Sequence, residues 1–129
     1  MFGEENIYLQ TTCSIDRSNR IIIPKKTLAE ANDILVILVQ NEDYFSLYNI
    51  KEIHQMIEKL KEENKTNKVR RIYCNIVDTI NVNKDRRISL PMSIVDLYSL
   101  SESIYVQGED THLNIYRSKE KFLNHKRKI

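Results

Sequence analysis

Asp16-Arg17-Ser18-Asn19-Arg20-Ile21-Ile22-Ile23-Pro24 and, 67 residues later, Asn83-Lys84-Asp85-Arg86-Arg87-Ile88-Ser89-Leu90-Pro91 are two copies of one pattern. Each copy reads as a polar turn, an Arg, alternating apolar positions and a Pro. At the same offset Val39-Gln40-Asn41-Glu42-Asp43 matches Val106-Gln107-Gly108-Glu109-Asp110, and one inserted residue later Phe45-Ser46-Leu47-Tyr48 aligns with Leu113-Asn114-Ile115-Tyr116. Distant blocks that share one offset identify an internal duplication. The chain's only two prolines, Pro24 and Pro91, occupy equivalent positions in it.

Read outward from these turns, each copy gives the same elements. Ile15, Ile21 and Ile23, and likewise Val82, Ile88 and Leu90, place β-branched and apolar residues on both sides of a charged turn, as in a hairpin. Pro24 and Pro91 cannot donate to a β-ladder, so they end the strands and can open short helices over Lys25–Asn32 and Met92–Tyr98. Leu35–Val39 and Ile104–Val106 read as buried strands. Asn41-Glu42-Asp43 and Gly108-Glu109-Asp110 read as turns, and Phe45–Tyr48 and Leu113–Tyr116 as closing strands.

Between the copies lies a helix capped by Asn49, with Glu52 three residues on and an apolar stripe of Ile50, Ile53, Ile57 and Leu60. The polar stretch Glu62–Lys68 reads as a loop. Lys119–Lys128 reads as a matching C-terminal helix anchored by Phe122 and Leu123. The predicted fold class is α+β, mainly β: two β-β-α-β repeats, each followed by a helix, over residues 10–64 and 72–128. A unit of about 50 residues buries too little surface to stand alone, so the halves should share one barrel-like core.

Composition narrows the function classes. The chain has 129 residues, 41% of them hydrophobic and 29% charged, and too few Gly and Pro for a linker. No apolar run approaches the roughly 20 residues that span a membrane. Glu4 and Glu5 near the start do not fit an export signal, so a cytoplasmic location is expected. Cys13 and Cys74 make no disulfide framework and read as free thiols, buried or half-buried. The 18 Ile and 12 Asn against two Ala suggest AT-rich coding in a low-GC bacterium. The net charge of +2 hides an uneven division: residues 1–64 carry −4 and residues 65–129 carry +6.

The turns carry the chemistry. An Asp four residues before an Arg can hydrogen-bond to it and hold it outward. An ordered guanidinium is what bidentate contact with phosphate or a guanine edge requires. Residues 16–26 sum to +3 in an otherwise acidic half, and residues 84–87 to +2. A solvated charged hairpin is the plain alternative for either turn taken singly.

The first motif resembles the Asp-x-x-Gly-Arg-(apolar)-x-(apolar)-Pro signature of the MraZ branch of the AbrB-like swapped-hairpin DNA-binding superfamily. Met1-Phe2-Gly3, Tyr48-Asn49-Ile50-Lys51-Glu52, Lys68-Val69-Arg70-Arg71, Val106-Gln107-Gly108 and Ile115-Tyr116 follow in that family's order, so the resemblance covers nearly the whole chain. It implies a swapped-hairpin (double-split) β-barrel and a nucleoid-associated transcriptional regulator without enzyme activity or cofactor. Such a regulator binds double-stranded DNA at tandem promoter repeats of a cell-division and cell-wall gene cluster, its own gene included, as a ring-shaped homo-oligomer. By the same resemblance Arg20 and Arg87 are the primary DNA contacts. Arg17, Lys84, Arg86 and Lys25 add charge toward phosphates, and Asp16, Asn83 and Asn19 support the turns.

Two departures stand out. Asn19 and Arg86 replace the signature Gly; Asn tolerates a left-handed backbone, whereas Arg there costs about 1 kcal/mol. Asn83 replaces Asp, so Arg87 either donates an uncharged hydrogen bond to Asn83 or shifts to Asp85. A weakened second turn keeps open a protein-interaction module, antitoxin-like or an assembly protein. His54, His112 and His125 lack ligand spacing for a metal, and neither Cys has an identifiable base. Tyr48 and Tyr116 fit core or subunit interface better than base stacking, and Lys68, Arg70 and Arg71 fit either DNA or the start of a solvated strand.

Overall fold

The computed structural model describes residues 9–24 and 28–128. In chain order its strands are β1 (Gln10–Ser14), β2 (Arg20–Ile22), β3 (Ile34–Val39), β4 (Tyr44–Asn49), β5 (Ile76–Asn81), β6 (Arg87–Ser89), β7 (Ser103–Glu109) and β8 (His112–Tyr116). Its helices are α1 (Ile50–Glu62), α2 (Thr66–Asn75), α3 (Met92–Leu97) and α4 (Lys119–Lys128). The architecture is α+β with all pairings antiparallel: a six-stranded sheet in the order β1-β7-β8-β4-β3-β5 and a two-stranded ribbon, β2-β6.

The duplication is visible in the pairing. The first strand of each copy pairs with the third strand of the other, β1 with β7 and β5 with β3. The second strands meet with Ile21 opposite Ile88, and the fourth strands with Ser46 opposite Asn114. Both of these opposed pairs are repeat equivalents, so an approximate twofold axis passes through them.

Strand alternation sorts the side chains. Leu35, Ile37, Phe45 and Leu47 point into one core with Ile21, Ile23, Ile88, Leu90, Ile104, Val106, Leu113 and Ile115. That core draws on both copies. On the opposite face, Val36, Leu38 and Tyr48 pack under Ile53 and Ile57 of α1 and Val69 of α2. Tyr105 and Tyr116 pack under Phe122 of α4.

Local chemistry accounts for the helices. The Asn49 side-chain oxygen accepts from the Lys51 N–H at 3.0 Å and caps α1. Glu52 does not complete a capping box; its carboxylate accepts from the Thr111 hydroxyl at 3.3 Å. Burial of Ile53 and Ile57 contributes about 1.5–3 kcal/mol each. Pro91 is the N-cap of α3, one residue before the first-turn position that proline favours, and supplies no side-chain cap.

Four expectations need correction. Residues 66–75 form helix α2, so Thr66–Lys68 is no loop, and Lys68, Arg70 and Arg71 do not begin a strand. The helix has no side-chain cap and a single fully buried residue, Val69, with Ile72 partly buried. Its support is packing on α1 and β3, which local signals do not reveal. Leu28–Asn32 forms turns rather than helix, and the rest of that predicted segment, residues 25–27, lies outside the described residues. Leu123 is 42% exposed and is no anchor; its place is taken by His125, which faces Asp43 at 3.4 Å and Tyr44 edge-on. Cys13 is half-buried, but Cys74 is exposed.

Candidate nucleic-acid interface

The β2-β6 ribbon is set by its inner pair. Ile21 and Ile88 turn into the core, each 1% exposed. Alternation therefore puts Arg20, Ile22, Arg87 and Ser89 on the outer face, with Arg20 opposite Ser89 and Ile22 opposite Arg87. Two further backbone bonds close the ribbon ends: the Ile23 N–H donates to the Arg86 carbonyl and the Leu90 N–H to the Asn19 carbonyl, each at 2.8 Å.

In the first turn Asp16 uses both carboxylate oxygens. Oδ1 accepts from the Ser18 and Arg20 N–H groups, both at 2.9 Å, and Oδ2 accepts from Arg20 Nε at 2.9 Å. The Arg20 backbone N–H, helped by the Ser18 N–H and the Arg20 guanidinium, holds the Asp16 carboxyl below the usual range. The pair is exposed to solvent, so its contribution to stability is small and its main consequence is orientation. It fixes Nε of Arg20 and leaves the terminal nitrogens without a hydrogen-bond partner among the described residues. Asn19 sits at φ 60°, as its place in the motif predicts.

The second turn has the same backbone and a different side-chain outcome. Asn83 Oδ1 accepts from the Asp85 N–H at 2.9 Å and the Arg87 N–H at 2.8 Å. This mirrors Asp16 Oδ1. Where Asp16 offers Oδ2, Asn83 offers an amide NH2, which is itself a donor and repels a guanidinium N–H. The Arg87 side chain accordingly has no hydrogen-bond or ion-pair partner among the described residues. Of the two sequence-based alternatives for Arg87, the first holds at the backbone only: Asn83 accepts from the Arg87 N–H but not from its guanidinium, and Asp85 does not take over the contact in a shifted turn.

Arg86 takes the position of the signature Gly at φ 61°. Its side chain is half-buried, and Nε and Nη2 lie out of contact with water and without a hydrogen-bond partner. Arg17 and Lys84 are exposed on the turns. Lys25 lies outside the described residues. A cleft of about 280 Å³ joins Asp16, Arg20, Ile22 and Arg87, with Ser14, Ile15 and Ile21 completing its walls. The structure thus brings together Asp16, Arg20 and Arg87 across the two copies. Lys68, Arg70 and Arg71 stand apart on α2, which packs on the sheet face opposite the core that the ribbon closes. The outer-face residue missed from sequence is Ile22; its signal was the period-two alternation that sets it beside Arg20 rather than Ile21.

The family model of the MraZ protein, described as antitoxin-like, matches residues 7–75. A relative from Clostridium acetobutylicum named transcriptional regulator MraZ is 27% identical over 116 residues, covering 87% of this chain and 81% of the relative. A second relative of that name, from Clostridium tetani, is 27% identical over 112 residues, covering 84% of this chain and 78% of its own length. Both relatives match over more residues than one copy contains, whereas the family model covers the first copy and the helices that follow it.

Proposed function

This chain belongs to the MraZ family, and from that membership we propose that it is a sequence-specific transcriptional regulator that binds double-stranded DNA. The observation that carries the reading is the Arg20 guanidinium held by Asp16 at 2.9 Å on the outer face of a two-stranded ribbon. A ribbon of this kind fits the major groove, where a bidentate Arg reads guanine O6 and N7. Arg87 is the second primary contact, and it orders only on binding. Arg17 and Lys84 meet phosphates, which set register without reading sequence, Lys25 continues that path after Pro24, and Arg86, with Nε and Nη2 buried, joins them only by swinging outward. Asn19 and Asn83 keep the two turns in shape.

The exchange of strands between copies supports a swapped-hairpin, double-split barrel built from units 10–64 and 72–128. Among the described residues β1 and β5 end the sheet with one neighbour each. Edge-to-edge addition of such strands is heterologous and can close into a ring. A homo-oligomeric ring engaging several DNA repeats gains affinity through effective concentration. The site is then the set of tandem repeats in the promoter of a cell-division and cell-wall gene cluster that includes the protein's own gene, reached in the cytoplasm at the nucleoid. No helix among the described residues is long and apolar enough to cross a membrane. Neither catalysis nor a small-molecule substrate enters this reading.

Gel-shift titration against the DNA upstream of the protein's own gene tests it. Loss of a bidentate Arg contact weakens binding roughly 5- to 150-fold, expected for Arg20→Ala, with a smaller loss for Arg87→Ala. Affinity should fall with salt by about 0.9 log units per phosphate neutralised. A wild-type protein with intact assembly that binds nothing at low salt overturns the proposal. The unanchored Arg87 favours one second reading, an antitoxin-like or assembly module that meets protein rather than DNA, and that result would select it.

A further inference from the structure

The outer face of the ribbon carries an apolar side chain among cations. Ile22 is 53% exposed, directly opposite Arg87 and two residues from Arg20 on the same face. It lines the same cleft as both arginines. A β-branched residue on a strand is stiff at χ1, and backbone bonds from Ile23 and Leu90 clamp the ribbon at both ends. Ile22 is therefore a stiff apolar side chain in the cleft that Arg20 and Arg87 also line. In the major groove, the apolar feature flanked by purine acceptors is the thymine C5 methyl group.

The approximate twofold axis through Ile21 and Ile88 sharpens the point. It relates Ile22 to Ser89, which stands opposite Arg20. One strand of the ribbon therefore offers Arg and Ile, the other Arg and Ser. The backbone is symmetric and the recognition face is not.

Building on the DNA-binding reading above, we propose that Ile22 is a base-reading residue that packs on a thymine C5 methyl between the contacts of Arg20 and Arg87. Ser89, its repeat equivalent, makes no such contact. Each subunit consequently sits on its DNA in one orientation, with the methyl contact on the Ile22 side.

The test uses the full chain and the DNA upstream of its own gene, with thymines replaced singly by uracil. Uracil keeps base pairing and removes only the methyl. One uracil position per bound repeat should weaken wild-type binding about fourfold, the equivalent of one buried methyl. Ile22→Ala should bind more weakly and lose its sensitivity at that position, while Ile22→Val keeps part of it. Ser89→Ile should create a second sensitive position on the other side of the repeat. Wild-type binding that no uracil alters overturns the proposal while leaving the DNA-binding reading intact. So does an Ile22→Ala variant that keeps the uracil effect but changes oligomer size on gel filtration, since Ile22 then belongs to a subunit contact. Absence of any wild-type binding overturns both.

Discussion

Arg86→Gly should stabilise the protein. Arg86 holds φ 61° in the second turn, with Nε and Nη2 buried and unpartnered. Four terms set the size of the effect. Relief of a Cβ in the left-handed region contributes about 1 kcal/mol. Removal of unsatisfied guanidinium nitrogens contributes about 1–3 kcal/mol. Against these, the greater freedom of Gly in the unfolded chain costs about 0.5–1 kcal/mol, and lost packing of the half-buried stem roughly 1 kcal/mol. The balance favours the variant by about 1–2 kcal/mol, a rise in Tm of roughly 3–8 °C for a chain of this size. The backbone bonds of the turn, Arg86 N–H to the Asn83 carbonyl at 3.0 Å and Ile23 N–H to the Arg86 carbonyl at 2.8 Å, do not depend on the side chain. Urea unfolding followed by circular dichroism is the assay, at one fixed protein concentration because association shifts apparent stability. The midpoint should rise with an unchanged m-value. Arg86→Ala, which loses the guanidinium but keeps a Cβ at positive φ, should fall between wild type and Arg86→Gly. Asn19→Gly, at an equivalent φ of 60° but with a side chain suited to it, should change stability by only a few tenths of a kcal/mol. An Arg86→Gly variant no more stable than wild type would refute the reasoning.

Asp16→Asn should release Arg20 and weaken DNA binding roughly threefold to tenfold, the cost of ordering one more long side chain on association. Because the Asp16 carboxyl is held below its ordinary value, its contribution is present above about pH 4 and is lost as pH falls through the lowered value. The acid limb of unfolding should therefore be shallower in Asp16→Asn, as a pH series of melts will show. Tyr98→Phe removes the hydroxyl that donates to the carbonyls of Asn41 at 2.9 Å and Tyr44 at 3.0 Å, and should cost about 1–2 kcal/mol in urea unfolding. Burial pushes the phenols of Tyr48 and Tyr98 up to about 12 and raises that of Tyr116 as well. The unfolded chain ionises first, so wild-type stability should fall as pH rises above about 10, less steeply in Tyr98→Phe. Asn114→Ala should cost about 2–3 kcal/mol. Asn114 donates to Gln107 and Glu109, both at 2.8 Å and half-buried, and accepts from the buried Ser46 hydroxyl at 2.6 Å. Pairing it with Ser46→Ala should add less than the two single losses.

Much of the candidate site was legible in local chemistry. An Asp or Asn at the head of each turn, a residue tolerant of positive φ before the Arg, and apolar alternation after it are short-range requirements. The first copy meets all three within nine residues of chain, and the second meets all but the tolerant residue, where Arg86 stands. The Asp16–Arg20 bond followed from that spacing, and the difference at Arg87 followed from one amide replacing one carboxylate. What stayed hidden was the donor geometry: both expectations for Arg87 assumed that some acceptor would reach its side chain, whereas Asn83 Oδ1 is taken up by backbone N–H groups. Helix α2 was hidden for a related reason. Its residues have modest helix propensity and no cap, and its stability comes from Val69 and Ile72 against α1 and β3.

By itself, the sequence determined the duplication, the two turn motifs, the capped helix α1 and the alternation that separates Ile21 from its neighbours. These depend on repeat offset and on the fixed periods of strands and helices. Only the tertiary structure decided which strand pairs with which, since backbone ladder bonds are chemically the same whichever copy supplies the partner. That choice pairs β1 with β7 and β5 with β3, and sets Ile21 against Ile88. It places Arg20, Ile22, Arg87 and Ser89 from two distant segments on one outward face.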